Sequence, residues 1–135
     1  MEKPGSLKVF FGIDVIAGFP GETDELFRET YDFLADRIKP AFIHVFPYSR
    51  RAGTRAAERP DQVQDSVKTA RVQELEQLSE RLHREFIGSN RGLKCKVLFE
   101  STEKNGMMSG YTENYIRVER PFDRDLTGKI AEVEL

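Results

Sequence analysis

The sequence is short of several features that define common protein classes. Cys95 is the only cysteine among 135 residues, so the chain cannot form an internal disulfide or build a cysteine-rich metal cluster alone. No apolar run approaches the roughly 20 residues needed to cross a bilayer. The start, Met-Glu-Lys-Pro-Gly-Ser, lacks the basic-then-apolar order of a secretion signal. These absences predict a soluble, cytoplasmic protein with a reduced thiol.

The charge of the chain also has no dominant sign. Charged residues make up 33% of the sequence but leave a net charge of -2, so no global positive field marks the chain as a nucleic-acid-binding protein. Any RNA contact must therefore be local. With 39% hydrophobic residues, the chain is long enough for one compact domain or two small ones.

The first part of the sequence has a strand, helix, strand pattern. Leu7 to Phe19 is nearly all apolar and lacks a period of two, which is typical of a strand buried on both sides in a parallel sheet. A helix is predicted from Thr23, whose side chain can cap it, to the residue before Pro40. A second strand is predicted over Ala41 to Pro47. This order predicts a crossover unit with two parallel strands.

The pattern changes in the second half. Residues 49–61 are rich in Arg, Ala, Gly and Pro, which predicts a loop, and Val63 to about Ser89 has helical spacing. Beyond Gly92 the spacing is that of short alternating strands. The predicted strands are Lys94 to Glu100, Tyr111 to Val118 and Lys129 to Leu135. We therefore predict an α/β domain over 1–91 and an all-β domain over 92–135.

Two loops follow the predicted parallel strands at their carboxyl ends, where α/β folds place their ligands. In the first loop, Gly18 and Gly21 permit close backbone approach and Pro20 stiffens the turn. Glu22 can accept hydrogen bonds from a ligand. The alternative is an ordinary tight turn with a solvated glutamate.

The second loop carries Ser49 and two adjacent arginines. The guanidinium groups of Arg50 and Arg51 are suited to binding a carboxylate or a phosphate. The alternative is a solvated pair of arginines. Arg51 is the stronger candidate, because a glycine turn follows it and fixes its backbone.

Three further residues could carry chemistry but do not form a site. His44 lies in the middle of a predicted strand and His83 on a predicted helix, with no second ligand at metal spacing. We interpret His44 as a packed core histidine and His83 as a surface residue. Cys95 has no neighbouring base or basic cluster, so it is not predicted to be a catalytic thiol.

The third part of the sequence offers a local candidate for RNA contact. One predicted strand and its approach combine rings, an amide and a cation, namely Tyr111, Asn114, Tyr115 and Arg117. Small β-barrels use such side chains on single-stranded RNA. Alternation along the strand places Ile116 and Val118 in the core and Tyr115 and Arg117 outside. The alternative is that these are ordinary sheet residues.

Three segments stand out when they are taken together: Asp-Val-Ile-Ala-Gly-Phe-Pro-Gly-Glu-Thr (14–23), His-Val-Phe-Pro-Tyr-Ser-Arg-Arg-Ala-Gly-Thr (44–54) and Gly-Tyr-Thr-Glu-Asn-Tyr-Ile-Arg-Val (110–118). In order and spacing they resemble the radical-SAM tRNA methylthiotransferases. The second and third segments look most like the MtaB type, which methylthiolates N6-threonylcarbamoyladenosine in tRNA. The isopentenyladenosine enzyme and the ribosomal-protein enzyme fit less well.

The resemblance implies a fold and a set of binding residues. It implies that the first domain is the C-terminal βαβα portion of a radical-SAM partial (β/α) barrel, and that residues 92–135 are the RNA-binding β-barrel known as TRAM. It implies S-adenosylmethionine binding by Gly18, Phe19, Pro20, Gly21, Glu22, Tyr48, Ser49 and Arg51. It implies tRNA contact by Tyr111, Asn114 and Arg117, to which the strand pattern adds Tyr115.

The chain also departs from this family. The family holds two [4Fe-4S] clusters, one of them on a Cys-x3-Cys-x2-Cys triplet, and Cys95 alone cannot supply these ligands. Without a cluster no electron reaches adenosylmethionine. We therefore predict no metal site, no catalytic residue, no bound cofactor and no activity in this chain without the missing N-terminal domains. Ala52 and Arg55 stand where relatives usually have proline.

The isolated chain is also expected to leave an apolar sheet face open. Two parallel strands seldom stand alone, so we predict that the chain covers this face by forming a homodimer or exchanging elements. Two other functions stay open at this point. One is a non-catalytic RNA-binding module, and the other is a small α/β scaffold for a protein partner.

Overall fold

The computed structural model describes residues 7–135. These residues form two compact units, one made of residues 11–85 and one made of residues 7–10 with 86–135. The chain therefore divides at Phe86, five residues before the boundary expected near Arg91. No helix in the described part of the chain is long and apolar enough to cross a membrane.

The 11–85 unit is built on two parallel strands. Strand β1 is Gly12–Ala17 and strand β2 is Phe42–Pro47. They pair in register from Gly12 opposite Phe42 to Ala17 opposite Pro47. The predicted parallel pair is confirmed, although β1 is shorter than the apolar run from Leu7 to Phe19.

Three helices and one π-helical segment accompany these strands. Helix α1 is Asp24–Asp32, and the Thr23 side chain accepts a hydrogen bond from the Leu26 amide, as expected of an N-cap. The π-helical segment Phe33–Ile38 follows directly. Helix α2, Arg55–Glu58, lies within the segment predicted to be a loop, and helix α3 is Asp65–Ser89.

One face of the two-stranded sheet carries the core of this unit. Ile13, Val15 and Val45 pack against a cluster drawn from both strands and from the helices. The buried members of that cluster are Ala17, Phe27, Leu34, Ala35, Ile43, Leu75, Leu78 and Leu82. Burial of this apolar surface is the main stabilising contribution in the unit.

The opposite sheet face is open, so the expectation of a strand buried on both sides is wrong for these residues. Ile16 and Phe46 lie opposite each other on it and are 58% and 49% exposed. His44 is exposed on the same face, stacked parallel to the Phe46 ring. The interpretation of His44 as a core histidine is therefore wrong, because no part of the 11–85 unit covers this face.

The other histidine is also placed differently from the prediction. His83 is half-buried, and its Nδ1 lies 3.2 Å from the carbonyl oxygen of Ala41. Its ring contacts Phe42 edge to face. The sequence pattern placed His83 on the polar side of the helix. In the structure, its position borders the buried stripe.

The second unit contains an antiparallel sheet of four strands in the order β5-β4-β3-β6. The strands are β3 Lys94–Phe99, β4 Met107–Thr112, β5 Arg117–Pro121 and β6 Ile130–Glu134. Cys95, Val97, Phe99 and Met108 form its buried core. The chain is thus mixed α/β with an antiparallel sheet compatible with a TRAM-like barrel.

The predicted single strand from Tyr111 to Val118 is wrong, because a tight turn interrupts it. The Thr112 amide donates to the carbonyl of Ile116, and the Tyr115 amide donates to the carbonyl of Thr112. Tyr115 has a left-handed backbone with φ of 65°. Alternating polar and apolar side chains look alike in a continuous strand and in a hairpin with a short turn.

Candidate functional site

The loops that follow β1 and β2 lie at the same edge of the sheet, as the parallel arrangement predicts. The Tyr48 amide donates a 2.8 Å hydrogen bond to the carbonyl of Ala17. The rings of Phe19 and Tyr48 then meet edge to face with centroids 5.3 Å apart. The two predicted loops therefore contact each other and form one edge.

The first loop, residues 18–23, needs glycine at two places. Gly18 and Gly21 have φ of 82° and 85°, in the left-handed region that side chains rarely adopt. A Cβ on Gly18 would lie 2.4 Å from Cγ of Lys68. A Cβ on Gly21 would lie 2.7 Å from Nη2 of Arg59 and 2.8 Å from Oδ2 of Asp61. The loop is therefore held tightly against neighbouring segments.

The Glu22 carboxylate is hydrogen-bonded by other residues of the same unit. Its Oε1 accepts hydrogen bonds from the Gly18 amide at 2.9 Å and from Nη1 of Arg71 at 2.8 Å. Nη1 of Arg71 also donates to the Glu22 carbonyl at 2.9 Å, and Nη2 donates to Oδ1 of Asp24 at 2.8 Å. The structure thus places the Glu22 carboxylate between the loop backbone and a guanidinium group.

Arg71 was not singled out from the sequence. It falls on the apolar stripe of α3, where its side chain is only 7% exposed. A buried arginine needs partners that stay buried with it. The presence of an arginine on the otherwise apolar face of the predicted helix was the one sequence feature that could have predicted a carboxylate partner from another element.

The second loop, residues 48–54, is also bonded to α3. Nζ of Lys68 donates to the Tyr48 carbonyl at 3.1 Å and lies 5.4 Å from the centre of the Tyr48 ring. Nε of Arg50 donates to the Ala57 carbonyl at 2.7 Å, so Arg50 holds α2. Arg51 is exposed and makes no ion pair among the described residues.

A cleft of about 510 Å³ opens at this edge of the sheet. Of the residues predicted to bind the cofactor, Tyr48, Ser49 and Arg51 line this cleft, whereas Gly18 to Glu22 do not. The remaining wall is mostly apolar and comes from Ile16, Phe46, Pro47, Thr54 and Ala56. Ile16 was missed because it was assigned to a strand buried on both sides, and Phe46 because it was placed within the second predicted strand and not in a loop.

The Tyr48 hydroxyl is buried and has no hydrogen-bond partner among the described residues. Buried hydroxyl groups in folded proteins are normally bonded to protein, water or a ligand. Because it is buried, this hydroxyl does not face the open cleft, whose polar lining comes from the side chains of Ser49, Arg51 and Thr54.

Metal ligands are not gathered in the described residues. No group of three or more His, Cys, Asp or Glu side chains there could hold a metal ion. Cys95 is buried, and desolvation, with a smaller effect from Glu113, raises the pKa of its thiol. A thiol that resists ionisation is a poor metal ligand.

A second surface lies on the antiparallel sheet. Register places Tyr111 opposite Arg117 on one side and opposite Leu98 on the other, and Leu98 lies opposite Ile130. Leu98, Tyr111 and Ile130 are 55%, 50% and 67% exposed, and Arg117 is exposed and paired with Glu119. We call the four residues Arg117, Tyr111, Leu98 and Ile130 the cross-strand row.

The other two RNA-contact candidates lie in the turn before β5. Tyr115 is exposed, and its ring meets that of Phe10 at 5.3 Å. Asn114 is buried, and its Nδ2 donates to the Lys8 carbonyl at 2.9 Å and to Oδ1 of Asn90 at 3.1 Å. The structure therefore brings Tyr111 and Arg117 together, while the Asn114 amide is bonded inside the unit.

Known proteins align with most of the length of this chain. No protein-family model matches the chain. A threonylcarbamoyladenosine tRNA methylthiotransferase MtaB of Bacillus subtilis (strain 168) is 43% identical over 126 residues, covering 90% of this chain and 28% of that protein. The MtaB of Aquifex aeolicus (strain VF5) is 38% identical over 122 residues, with the same two coverages.

A protein with a related name shows comparable similarity. A tRNA-2-methylthio-N(6)-dimethylallyladenosine synthase of Thermoanaerobacter sp. (strain X514) is 40% identical over 124 residues, covering 90% of this chain and 26% of that protein. The chain thus spans about a quarter of the length of these curated relatives. The resemblance is confirmed, and this chain is homologous to a segment of the tRNA methylthiotransferases, the MtaB type among them.

Proposed function

We propose that this chain is the C-terminal part of a radical-SAM methylthiotransferase acting on N6-threonylcarbamoyladenosine in tRNA. The cleft at the carboxyl edge of β1 and β2 carries this proposal. It combines an apolar wall with the hydroxyl of Ser49 and the guanidinium of Arg51. The names of the Bacillus and Aquifex relatives support threonylcarbamoyladenosine as the substrate base.

The cleft residues fit S-adenosylmethionine by their chemistry. An adenine ring packs on apolar side chains such as Ile16 and Phe46, and a carboxylate pairs with a guanidinium group such as that of Arg51. The exposed side chain of Ser49 supplies a further polar contact. Gly18 to Glu22 shape the edge behind this wall through the contact of Phe19 with Tyr48.

Iron–sulfur clusters do not fit the residues of this chain. The described residues hold no group of metal ligands, and Cys95 is buried in the antiparallel sheet. We therefore assign both [4Fe-4S] clusters to the missing N-terminal domains of the same enzyme. We further propose that the chain alone is inactive and that the intact enzyme works in the cytoplasm.

The cross-strand row is the proposed tRNA contact of the TRAM-like sheet. Tyr111 offers a ring for base stacking and Arg117 a cation for a phosphate. Tyr115 adds a second exposed ring in the adjacent turn. Asn114 would contribute by fixing that turn. This surface also supports a second candidate function, a non-catalytic RNA-binding module.

The open face of the two-stranded sheet carries the cleft residues Ile16 and Phe46, so we propose that in the intact enzyme it faces the cofactor within the cavity that the missing domains complete. Ile16 and Phe46 expose apolar surface there, and such surface favours association. In the isolated chain we expect a second copy to cover it. Light scattering over a range of concentrations should show a dimer for the chain and a monomer for Phe46→Glu. A monomer at every concentration in both would contradict self-association.

A chimaera tests the leading function. This chain would replace the matching segment of the Bacillus subtilis methylthiotransferase in a strain that lacks the enzyme, and tRNA nucleosides would be analysed by mass. We expect methylthiolated threonylcarbamoyladenosine. Arg51→Gln should reduce the product, whereas Arg55→Gln, an exposed arginine outside the cleft lining, should not.

The outcomes separate the two candidate functions. A chimaera that folds and carries its clusters but makes no product would contradict the leading function. If the chain alone nevertheless binds a tRNA anticodon stem-loop, the RNA-binding module is favoured. Absence of both activities would overturn both.

A further inference from the structure

We infer that Arg71 is a positioning residue that sets the shape of the edge proposed to bind adenosylmethionine. Arg71 does not line the cleft itself. It acts on the first loop, which in turn supports Tyr48 through Phe19. The inference rests on the proposed function, because the edge is positioned for that cofactor.

The burial of Arg71 argues for a specific role. Its side chain is 7% exposed and bonds Glu22, whose side chain is 14% exposed. Burying such a pair costs desolvation, and an apolar residue at the same place on α3 would pack without that cost. The gain from Arg71 is geometric, since one planar guanidinium bonds the Glu22 carboxylate, the Glu22 carbonyl and the Asp24 carboxylate.

These bonds fix both ends of the first loop. Oε1 of Glu22 also accepts from the Gly18 amide, so Arg71, Glu22 and Gly18 form a chain of hydrogen bonds across the turn. Asp24 opens helix α1. Arg71 therefore ties the loop and the first turn of α1 to a single position on α3.

Lys68 holds the second loop in the way that Arg71 holds the first. It lies three residues before Arg71, so the two side chains share one face of α3. Its ammonium donates to the Tyr48 carbonyl, and its stem packs where a Cβ on Gly18 would lie. One helix face thus presents two cations, each bonded to one of the two loops that meet at the cleft edge.

Backbone exchange in the chain alone gives the first test. Arg71→Gln should raise hydrogen exchange of the Gly18 amide by about tenfold or more, because the charge-assisted bond that holds its acceptor, the Glu22 carboxylate, is lost. Exchange in the paired amides of β1 and β2 should stay unchanged. Arg28→Gln is the matched control, since Arg28 also bonds α3 through Glu74 at 3.1 Å but touches neither loop.

Cofactor binding in the Bacillus chimaera gives the second test. Arg71→Gln should weaken binding of S-adenosylhomocysteine and raise the KM for adenosylmethionine by about tenfold, while the KM for tRNA stays within about twofold. Arg71→Lys should restore part of the affinity, because an ammonium can keep one bond. Lys68→Met, which keeps the stem, should give a smaller loss in the same direction.

The results separate failure of this inference from failure of the proposed function. If the parent chimaera binds no S-adenosylhomocysteine, the proposed cofactor edge is wrong and the inference falls with it. If the parent binds it and Arg71→Gln binds equally well, only the inference is overturned. If Arg71→Gln does not fold, the remaining variants decide. Equal affinity for S-adenosylhomocysteine in Arg71→Lys, Lys68→Met and the parent would overturn the inference.

Discussion

The two candidate surfaces differ in how their residues are held. At the cleft edge, the loop residues are fixed by buried charges and close backbone approach, with Arg71 and Lys68 acting from α3. On the antiparallel sheet, Tyr111 and Arg117 are exposed and stand on paired strands. A change in the residues that hold the first surface should therefore act through shape and stability, whereas a change in the exposed residues of the second should act directly on binding.

The largest effect is expected from Gly18→Ala. The added Cβ would meet the Lys68 stem at 2.4 Å and force a left-handed backbone on alanine. We expect the free energy of unfolding to fall by about 2 to 4 kcal/mol, measured by urea denaturation. Gly53→Ala is the control, because Gly53 has φ of 85° but no atom within 4 Å of its Cβ position.

The control separates strain from crowding. Gly53→Ala should cost only about 1 kcal/mol, since it bears the backbone term alone. Equal losses in the two variants would show that the Lys68 stem yields freely and that the first loop is not held tightly against α3.

A smaller stability effect is expected from Asn114→Ala. The buried amide bonds the Lys8 carbonyl and Asn90, and its Oδ1 lies 2.5 Å from the Thr112 hydroxyl. Losing these bonds should lower the free energy of unfolding by about 2 kcal/mol. Tyr115→Ala should leave unfolding nearly unchanged. If the two variants were equally stable, the buried amide would not be fixing the turn.

RNA binding tests the exposed surface directly. Tyr111→Ala should weaken binding of a tRNA anticodon stem-loop by about tenfold through lost stacking, with stability nearly unchanged. Arg117→Gln should weaken it less and lower the slope of affinity against salt by about one. Fluorescence anisotropy at several salt concentrations measures both.

The matched control for RNA binding is Phe33→Ala, which removes an exposed ring of the 11–85 unit. It should bind as the parent does. Loss of affinity in this variant would contradict RNA contact at the cross-strand row. So would a slope of affinity against salt that is the same in Arg117→Gln and in the parent.

The same contrast explains what could be predicted from the sequence. The parallel strands and the shared loop edge follow from local pattern and connection order, and both were found. The Arg71–Glu22 pair joins residues 49 apart in sequence, and no local pattern encodes such a contact. In the turn at Thr112 to Ile116, the buried Asn114 amide bonds Asn90, which is 24 residues away in sequence, and alternation alone could not distinguish this turn from a strand.

The smallest effect concerns Cys95, whose burial in the antiparallel sheet raises the pKa of its thiol. The raised pKa favours the neutral thiol in the folded chain, so this contribution to stability is present below about pH 9 and is lost as pH rises through the folded pKa. We expect iodoacetamide to label Cys95 more slowly than a free thiol at pH 8, and the rate to approach that of a free thiol in urea. Cys95→Ala should flatten the stability profile above pH 9. Fast labelling without denaturant would show that the sheet core opens readily. The paired strands that carry Tyr111 and Arg117 would then not hold these two side chains in fixed positions.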